Sequence, residues 1–188
     1  MTTRSWFLAT VLCASALHGT VLTPLTNGDL ATHADAIVIG RCTAVDSRWE
    51  DRNLFTFSTI AVQETLKGKP RASLTVVLPG GADWKGRIPI AMDFEGGPTI
   101  QPGEQVFLFL RQIEGIPNGY AVVGFSQGKF VIRRTKRGLV VTRDLTGVYF
   151  ARGQAAPAVS VPLPAFKAEI QGLLKARSRP GAAARKSP

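Results

Sequence analysis

The five consecutive residues Val106, Phe107, Leu108, Phe109 and Leu110 constrain this chain more than any other feature. They follow Pro102-Gly103-Glu104-Gln105 and precede Arg111-Gln112, so the run is bounded by turn-forming and polar residues. It has the length of a strand, far below the length that crosses a bilayer. Side chains of a strand alternate between two faces. A strand that is apolar at every position therefore needs cover on both sides. Any fold for this chain has to place one layer above this strand and another below it.

The flanking segments read as further strands. "ADAIVIGRCTAVDSRW" carries Ile37, Val38 and Ile39 in a β-branched run. Gly40 interrupts it, and a glycine inside a strand marks a bulge or a sharp bend. That suits a long strand coiling around a small barrel. "LFTFSTIAVQETLKG" puts Phe55 and Phe57 on one parity and Ile60 and Val62 on the other. The switch near Ser58 and Thr59 predicts a second bulge or bend. "ASLTVVLPG" places Leu74, Val76 and Leu78 on one face. Pro117-Asn118-Gly119 is a turn signal, since Asn-Gly tolerates positive φ, and it leads into "YAVVGF". "GKFVIRR" and "LVVTR" flank residues 135–138 as a second hairpin.

Helical signals occur only at the ends. Thr26 is placed to cap a short helix, with Asp29 three residues on and Leu30 and Ala34 sharing a face. In "PLPAFKAEIQGLLKAR", Pro164 suits a first turn, and Phe166, Ile170, Leu173 and Leu174 form one apolar stripe. "ARGQAAPAVSVP" reads as the loop that leads to this last helix. The expected fold is all-β dominated: a small antiparallel barrel or a sandwich, with a short N-terminal helix and a C-terminal helix. With 188 residues, 45% hydrophobic and 19% charged, the chain suits one globular domain. Its bounds are expected at residues 17–176, with a disordered basic tail over 177–188.

The first residues carry an export signal. Arg4 precedes an apolar stretch over residues 6–13, and Ala14-Ser15-Ala16 supplies a small-x-small cleavage site. Residues 1–16 are thus expected to be a signal peptide and the protein to be periplasmic or extracellular. Cys13 follows Val11-Leu12, which is the wrong chemistry for lipidation. No later segment approaches transmembrane length. Of the two cysteines Cys13 leaves with the signal, so Cys42 has no partner for an internal disulfide. It is expected to be buried among Val38, Gly40 and Ala44 rather than reactive.

The formal charge of +10 falls to +9 without Arg4 (10 − 1), and the excess is local. Lys167, Lys175, Arg177, Arg179, Arg185 and Lys186 crowd the C-terminus, and Arg133, Arg134, Lys136 and Arg137 form a second cluster. Export and the lack of interleaved aromatic residues argue against nucleic acid. Anionic envelope polymers fit better, and ordinary solvated charge explains the same residues.

The glycine-rich stretch over residues 80–103 is the remaining candidate for chemistry. Gly81 and Gly86 have the G-x-x-x-x-G spacing, but Arg87 and Ile88 follow instead of Lys and Ser or Thr, and no helix starts there. A nucleotide site is therefore not expected, and no cofactor is implied. Asp83, Asp93 and Glu95 offer carboxylates for a hydrolase, though their spacing matches no calcium loop. The chain has only two histidines, His18 and His33, too few for a zinc site, and His33 on the opening helix is expected at the surface. The glycines are expected to bend the chain. Trp84, Lys85 and Arg87 give the loop an aromatic, basic tip, which either binds a partner or caps the end of the barrel.

In order, "ADAIVIGR", "ETLKG", "LPGG", "GGP", "PGEQVFLFL" and "QGKF" resemble a family of uncharacterised exported bacterial β-domains over roughly residues 25–135. That resemblance implies export and a β fold but no mechanism. A fainter likeness is to the netrin-like module of the tissue inhibitors of metalloproteinases, where an "AD" also leads into an apolar strand and a "LKG" closes a later one. It implies a barrel of the oligonucleotide/oligosaccharide-binding type. It does not carry inhibition, because the N-terminal cysteine and disulfides of those inhibitors have no counterparts beside Leu17 and Cys42.

Together these features point to an exported, non-enzymatic binding or accessory domain that contacts a protein or an anionic envelope polymer. The alternative is an exported hydrolase using Asp83, Asp93 or Glu95. N-terminal sequencing of the exported protein is expected to begin at Leu17; an intact Met1 or a lipid on Cys13 would overturn the signal assignment.

Overall fold

The computed structural model describes residues 21–151 and 159–178. The expected signal segment, residues 1–16, and residues 179–188 of the expected tail lie outside the described residues. Strands dominate, with one short helix near the start and one longer helix at the end.

Helix α1 (Asn27–His33) starts as the sequence implies. The Asp29 amide donates to the Thr26 hydroxyl at 3.1 Å, and the Thr26 amide donates to Asp29 Oδ2 at 2.9 Å. This reciprocal box satisfies two amides that the helix would otherwise leave free. At the other end Lys67 Nζ donates to the carbonyls of Ala31 and Ala34. A cation there meets both the free carbonyls and the negative end of the helix dipole.

The chain then builds a ring. β2 (Ala36–Glu50) and β3 (Asn53–Lys67) form a long hairpin, and β4 (Ser73–Pro79) pairs with β3. β7 (Gln105–Gln112) pairs with the free edge of β2. β8 (Gly119–Val122) pairs antiparallel with β7 and parallel with β4. The order β7, β2, β3, β4, β8 and back to β7 closes a five-stranded barrel. Closure matters because it removes the exposed edges that an open sheet would present.

The second edge of β7 is shared. Residues 110–112 hold β8, and residues 106–108 hold β9 (Lys129–Thr135). From β9 the sheet continues outward through β10 (Gly138–Arg143) to β12 (Val159–Pro162). The end of the stretch read from the sequence as a loop is therefore a strand, and residues 152–158 of that stretch lie outside the described residues. Its apolar residues are few, but the free edge of β10 supplies backbone partners. Two short pairs complete the strands: β1 (Val21–Leu22) with β11 (Tyr149–Phe150), and β5 (Gly81–Asp83) with β6 (Ile90–Met92). Helix α2 (Leu163–Ser178) then packs Phe166 and Ile170 inward. It includes Arg177 and Ser178, at which the sequence reading starts the tail.

Both faces of β7 are covered. Val106, Leu108 and Leu110 point into the barrel with Val38, Ile60 and Val76. Phe107 and Phe109 point the other way, into a second core under α1 and α2. Phe107, Phe109, Phe130 and Phe166 form a cluster with ring centroids 4.9–6.5 Å apart. Each well-oriented pair of this kind adds about 0.5–1.5 kcal/mol beyond area burial.

The bend expected at Gly40 is present. Pairing of β2 with β3 shifts register between Ile39 and Gly40, and a Cβ on Gly40 would lie 2.5 Å from Ile60 Cγ2 and 2.6 Å from the Ala61 carbonyl oxygen. The irregularity expected at Ser58 and Thr59 is displaced. β3 keeps unbroken register with β4 from Phe55 to Ala61, and the extra residue is Thr43 on β2, between the pairs Cys42↔Ile60 and Ala44↔Thr59. Two apolar parities on β3 therefore reflect burial on two faces, not a break in the strand. Ser58 shares the inward parity with Ile60 and is fully buried, while Phe57 is buried on the outer face under Arg48, whose guanidinium carbon is 3.6 Å from the ring centroid. Among the described residues no helix is long and apolar enough to cross a membrane.

Replacing adjacent residues of β7 tests both layers. Phe107→Ala is expected to cost roughly 3–5 kcal/mol and Leu108→Ala roughly 2–5 kcal/mol, read from denaturant midpoints. A near-neutral result for either would show that its face is not a packed core.

Candidate functional site

The glycine-rich stretch divides into a fixed root and a free tip. At the root, β4 passes into β5 through Gly80 and Gly81. Gly81 has φ +146, and a Cβ there would meet Ser47 Oγ and Thr56 Oγ1, each at 2.5 Å. A glycine is needed because the chain crosses the barrel wall with no room for a side chain. The same two hydroxyls bind the crossing: Thr56 donates to the Gly80 carbonyl at 2.8 Å, and the Ala82 amide donates to Ser47 Oγ at 3.3 Å. On the return path Ile100 is buried within the barrel core. The glycines here bend the chain, as expected.

Between these anchors β5 and β6 pair as a short ribbon, with Asp83 opposite Ile90. Residues 84–89 form its tip and are all exposed. Trp84 and Ile88 are each 73% exposed. Trp84 thus projects from the ribbon and does not cap the barrel. Lys85 and Arg87 flank it, with Lys85 Nζ 4.0 Å from Asp46 Oδ1 in an exposed pair that contributes little.

Trp49, near the end of β2, joins this surface. Its indole N–H donates to Asp83 Oδ2 at 2.9 Å, which ties the ribbon to the β2–β3 hairpin. The Lys85 amide also donates to Asp83, and these two bonds hold the Asp83 carboxyl below its usual range. Of the seven large hydrophobic residues exposed among those described, five are Trp49, Trp84, Ile88, Ile90 and Phe94. Sequence reasoning found Trp84, Lys85 and Arg87 and missed the other apolar members. Their signal was available: Ile88, Ile90 and Phe94 are large apolar residues in a loop whose strands are too short to form a core.

The three candidate carboxylates do not gather. A cleft of about 320 Å³ lies between the ribbon and the barrel mouth, lined in part by Ser47, Thr56, Met92 and Ile100. Asp93 lines it, while Asp83 and Glu95 do not. A glycosidase pair needs two carboxyl groups facing one bond. Asp83 is held ionised, which is unsuited to a general acid. No group of three or more His, Cys, Asp or Glu side chains able to hold a metal occurs among the described residues. His33 is exposed at the end of α1, with Nδ1 2.8 Å from the Asp29 carbonyl oxygen.

Cys42 lies inside the barrel at 1% exposure, its Sγ 3.4 Å from the Ala44 carbonyl oxygen. Burial pushes its thiol pKa up, so little thiolate forms near neutral pH. A second apolar hollow of about 430 Å³ lies on the outer wall of the barrel. Phe55, Phe57 and Val77 of the barrel and Ile113, Ile116 and Pro117 of the β7–β8 loop are among the residues that line it.

The chain matches no protein-family model and no curated protein.

Thiol reagents are expected to label Cys42 slowly in the folded protein and rapidly in denaturant. Fast native labelling would show that the barrel interior opens.

Proposed function

We propose that this chain is an exported, non-enzymatic binding domain that docks a partner protein through the β5–β6 ribbon. The observation that carries the reading is the exposure of Trp84, Ile88 and Ile90 along one anchored ribbon, with exposed Trp49 tied to it through Asp83 and exposed Phe94 just beyond β6. Large exposed apolar side chains clustered in this way are favoured where a second protein will cover them. Tryptophan at the centre of such a patch supplies much of the binding energy when buried by a partner. Lys85 and Arg87 at the margin would steer the approach of an acidic surface.

Export rests on the signal features of residues 1–16. The five-stranded ring supports the likeness to an oligonucleotide/oligosaccharide-binding barrel, a fold that presents ligand-binding loops around a rigid wall. The hydrolase alternative is weakened by the cleft, which draws in Asp93 without Asp83 or Glu95.

Trp84→Ala is the deciding variant. Because Trp84 is 73% exposed, its removal is expected to change stability by less than about 0.5 kcal/mol. Cross-linked partners captured from the native envelope are expected to be lost with Trp84→Ala and retained with Lys175→Ala on α2. A stability loss of roughly 3–5 kcal/mol would instead make Trp84 architectural. Unchanged capture would remove the ribbon as the docking site.

A further inference from the structure

β7 starts at Gln105, but its two neighbours continue past that point. Arg41 is the last residue of β2 paired with β7, and Val131 is the last on β9. β2 runs on to Glu50 and β9 to Thr135, both in the same direction, with no strand between them. A groove of about 450 Å³ opens there. Arg41 lines one side, Arg133 and Arg134 the other, and Gln101, Glu104 and Gln105 lie between them.

The charges in this groove do not cancel. Arg41 Nη1 donates to the Gly103 carbonyl at 2.7 Å, which fixes the guanidinium at the groove wall. Glu104 is already engaged: Lys129 Nζ lies 3.2 Å from Oε1, and the Gln101 amide donates to Oε2 at 3.0 Å. Asp144 feels Arg133 through space, but its carboxyl is held chiefly by the Thr146 hydroxyl and amide and lines a neighbouring cavity. Among the described residues, no carboxylate lies within ion-pair distance of Arg41, Arg133 or Arg134. Lys136 and Arg137 carry the positive charge on to the exposed tip of the β9–β10 hairpin.

We propose that this groove binds an acidic polysaccharide. Guanidinium forks match carboxylate and sulfate groups in a bidentate fashion. Cations on both walls and onward to the hairpin tip suit a chain whose negative charges repeat, more than one small anion. The amides of Gln101 and Gln105 offer donors and acceptors for sugar hydroxyls. No aromatic side chain is among the residues lining the groove, so a single-stranded nucleic acid would lack the stacking platform that such binding uses. The groove is distinct from the ribbon tip, since Trp84, Ile88 and Ile90 do not line it.

The test titrates the full chain against heparin and polygalacturonate, as sulfated and carboxylated probes, with oligothymidine as the comparison. Binding to at least one polysaccharide is expected at about 50 mM salt and is expected to weaken as salt rises. The triple variant Arg41→Gln/Arg133→Gln/Arg134→Gln is expected to lose at least about tenfold in affinity and to flatten the salt slope by about two to three. An equal charge loss elsewhere, Arg52→Gln/Lys69→Gln/Lys175→Gln, is expected to change affinity by less than about threefold on the same counterion argument. If the groove triple variant melts early, Arg133→Gln and Arg134→Gln singly serve instead, each with an expected loss of about two- to threefold. Equal weakening by both triple variants, binding to neither polysaccharide, or tighter binding of oligothymidine would overturn the proposal.

Discussion

Everything in this molecule depends on β7 being buried on both faces. One face completes the barrel, and the other is roofed by α1 through Leu30 and Ala31 and by α2 through Phe166, whose ring packs on Phe107 and Phe130. Neither layer is independent of the other, because alternate side chains of a single strand belong to different cores. β7 also makes three pairings, with β2, β8 and β9. It thereby closes the barrel and starts the sheet extension at the same time. A chain of this size with two small cores gains cooperativity from such sharing, since disruption of one core reaches the other through one backbone.

This arrangement explains which parts of the fold were legible. The fully apolar run at residues 106–110 announced a doubly covered strand, and the Thr26–Asp29 box and the Phe166–Ile170 stripe announced the two helices. These signals are local, because a few adjacent residues decide them. The irregularity in the β2–β3 hairpin was less legible. Apolar residues on both parities of β3 suggested a break in β3, but the extra residue sits across the ladder at Thr43. A sequence shows where two faces are buried without showing which strand absorbs the difference in length. β12 was illegible for a related reason: residues 159–162 become a strand because β10 offers an edge, and an edge is a tertiary fact.

The ribbon shows the same division within the candidate site. Trp84 stood out as a loop tryptophan, but its exposure depends on where the loop is fastened. Gly81 passes between Ser47 and Thr56, and Ile100 is held in the barrel. Those anchors leave the intervening residues no core to join. Trp49 could not be assigned to this surface from sequence, because its link to Asp83 spans 34 residues. The apolar side chains of the tip therefore remain outside for a geometric reason, with both ends of the loop fixed to the barrel and a two-stranded ribbon too narrow to fold over them.

The early start of the loop before β7 has a second consequence. Cys42 and Glu104 exchange backbone contact as β7 begins, with the Cys42 amide donating to the Glu104 carbonyl and the Gly103 amide donating to the Cys42 carbonyl, at 2.9 and 2.8 Å. These bonds end the ladder and turn the loop away, so β2 and β9 separate beyond them. The barrel then has a seam at the point where its central strand stops. Arginine from each side of that seam, Arg41 and Arg133, comes to face a common space in which the lining carboxylate, Glu104, is already paired with Lys129. Charge left uncompensated in this way disfavours the compact fold slightly through self-repulsion. Its persistence beside a strand terminus that the fold requires is a reason to look for a ligand at the seam rather than along the closed wall of the barrel.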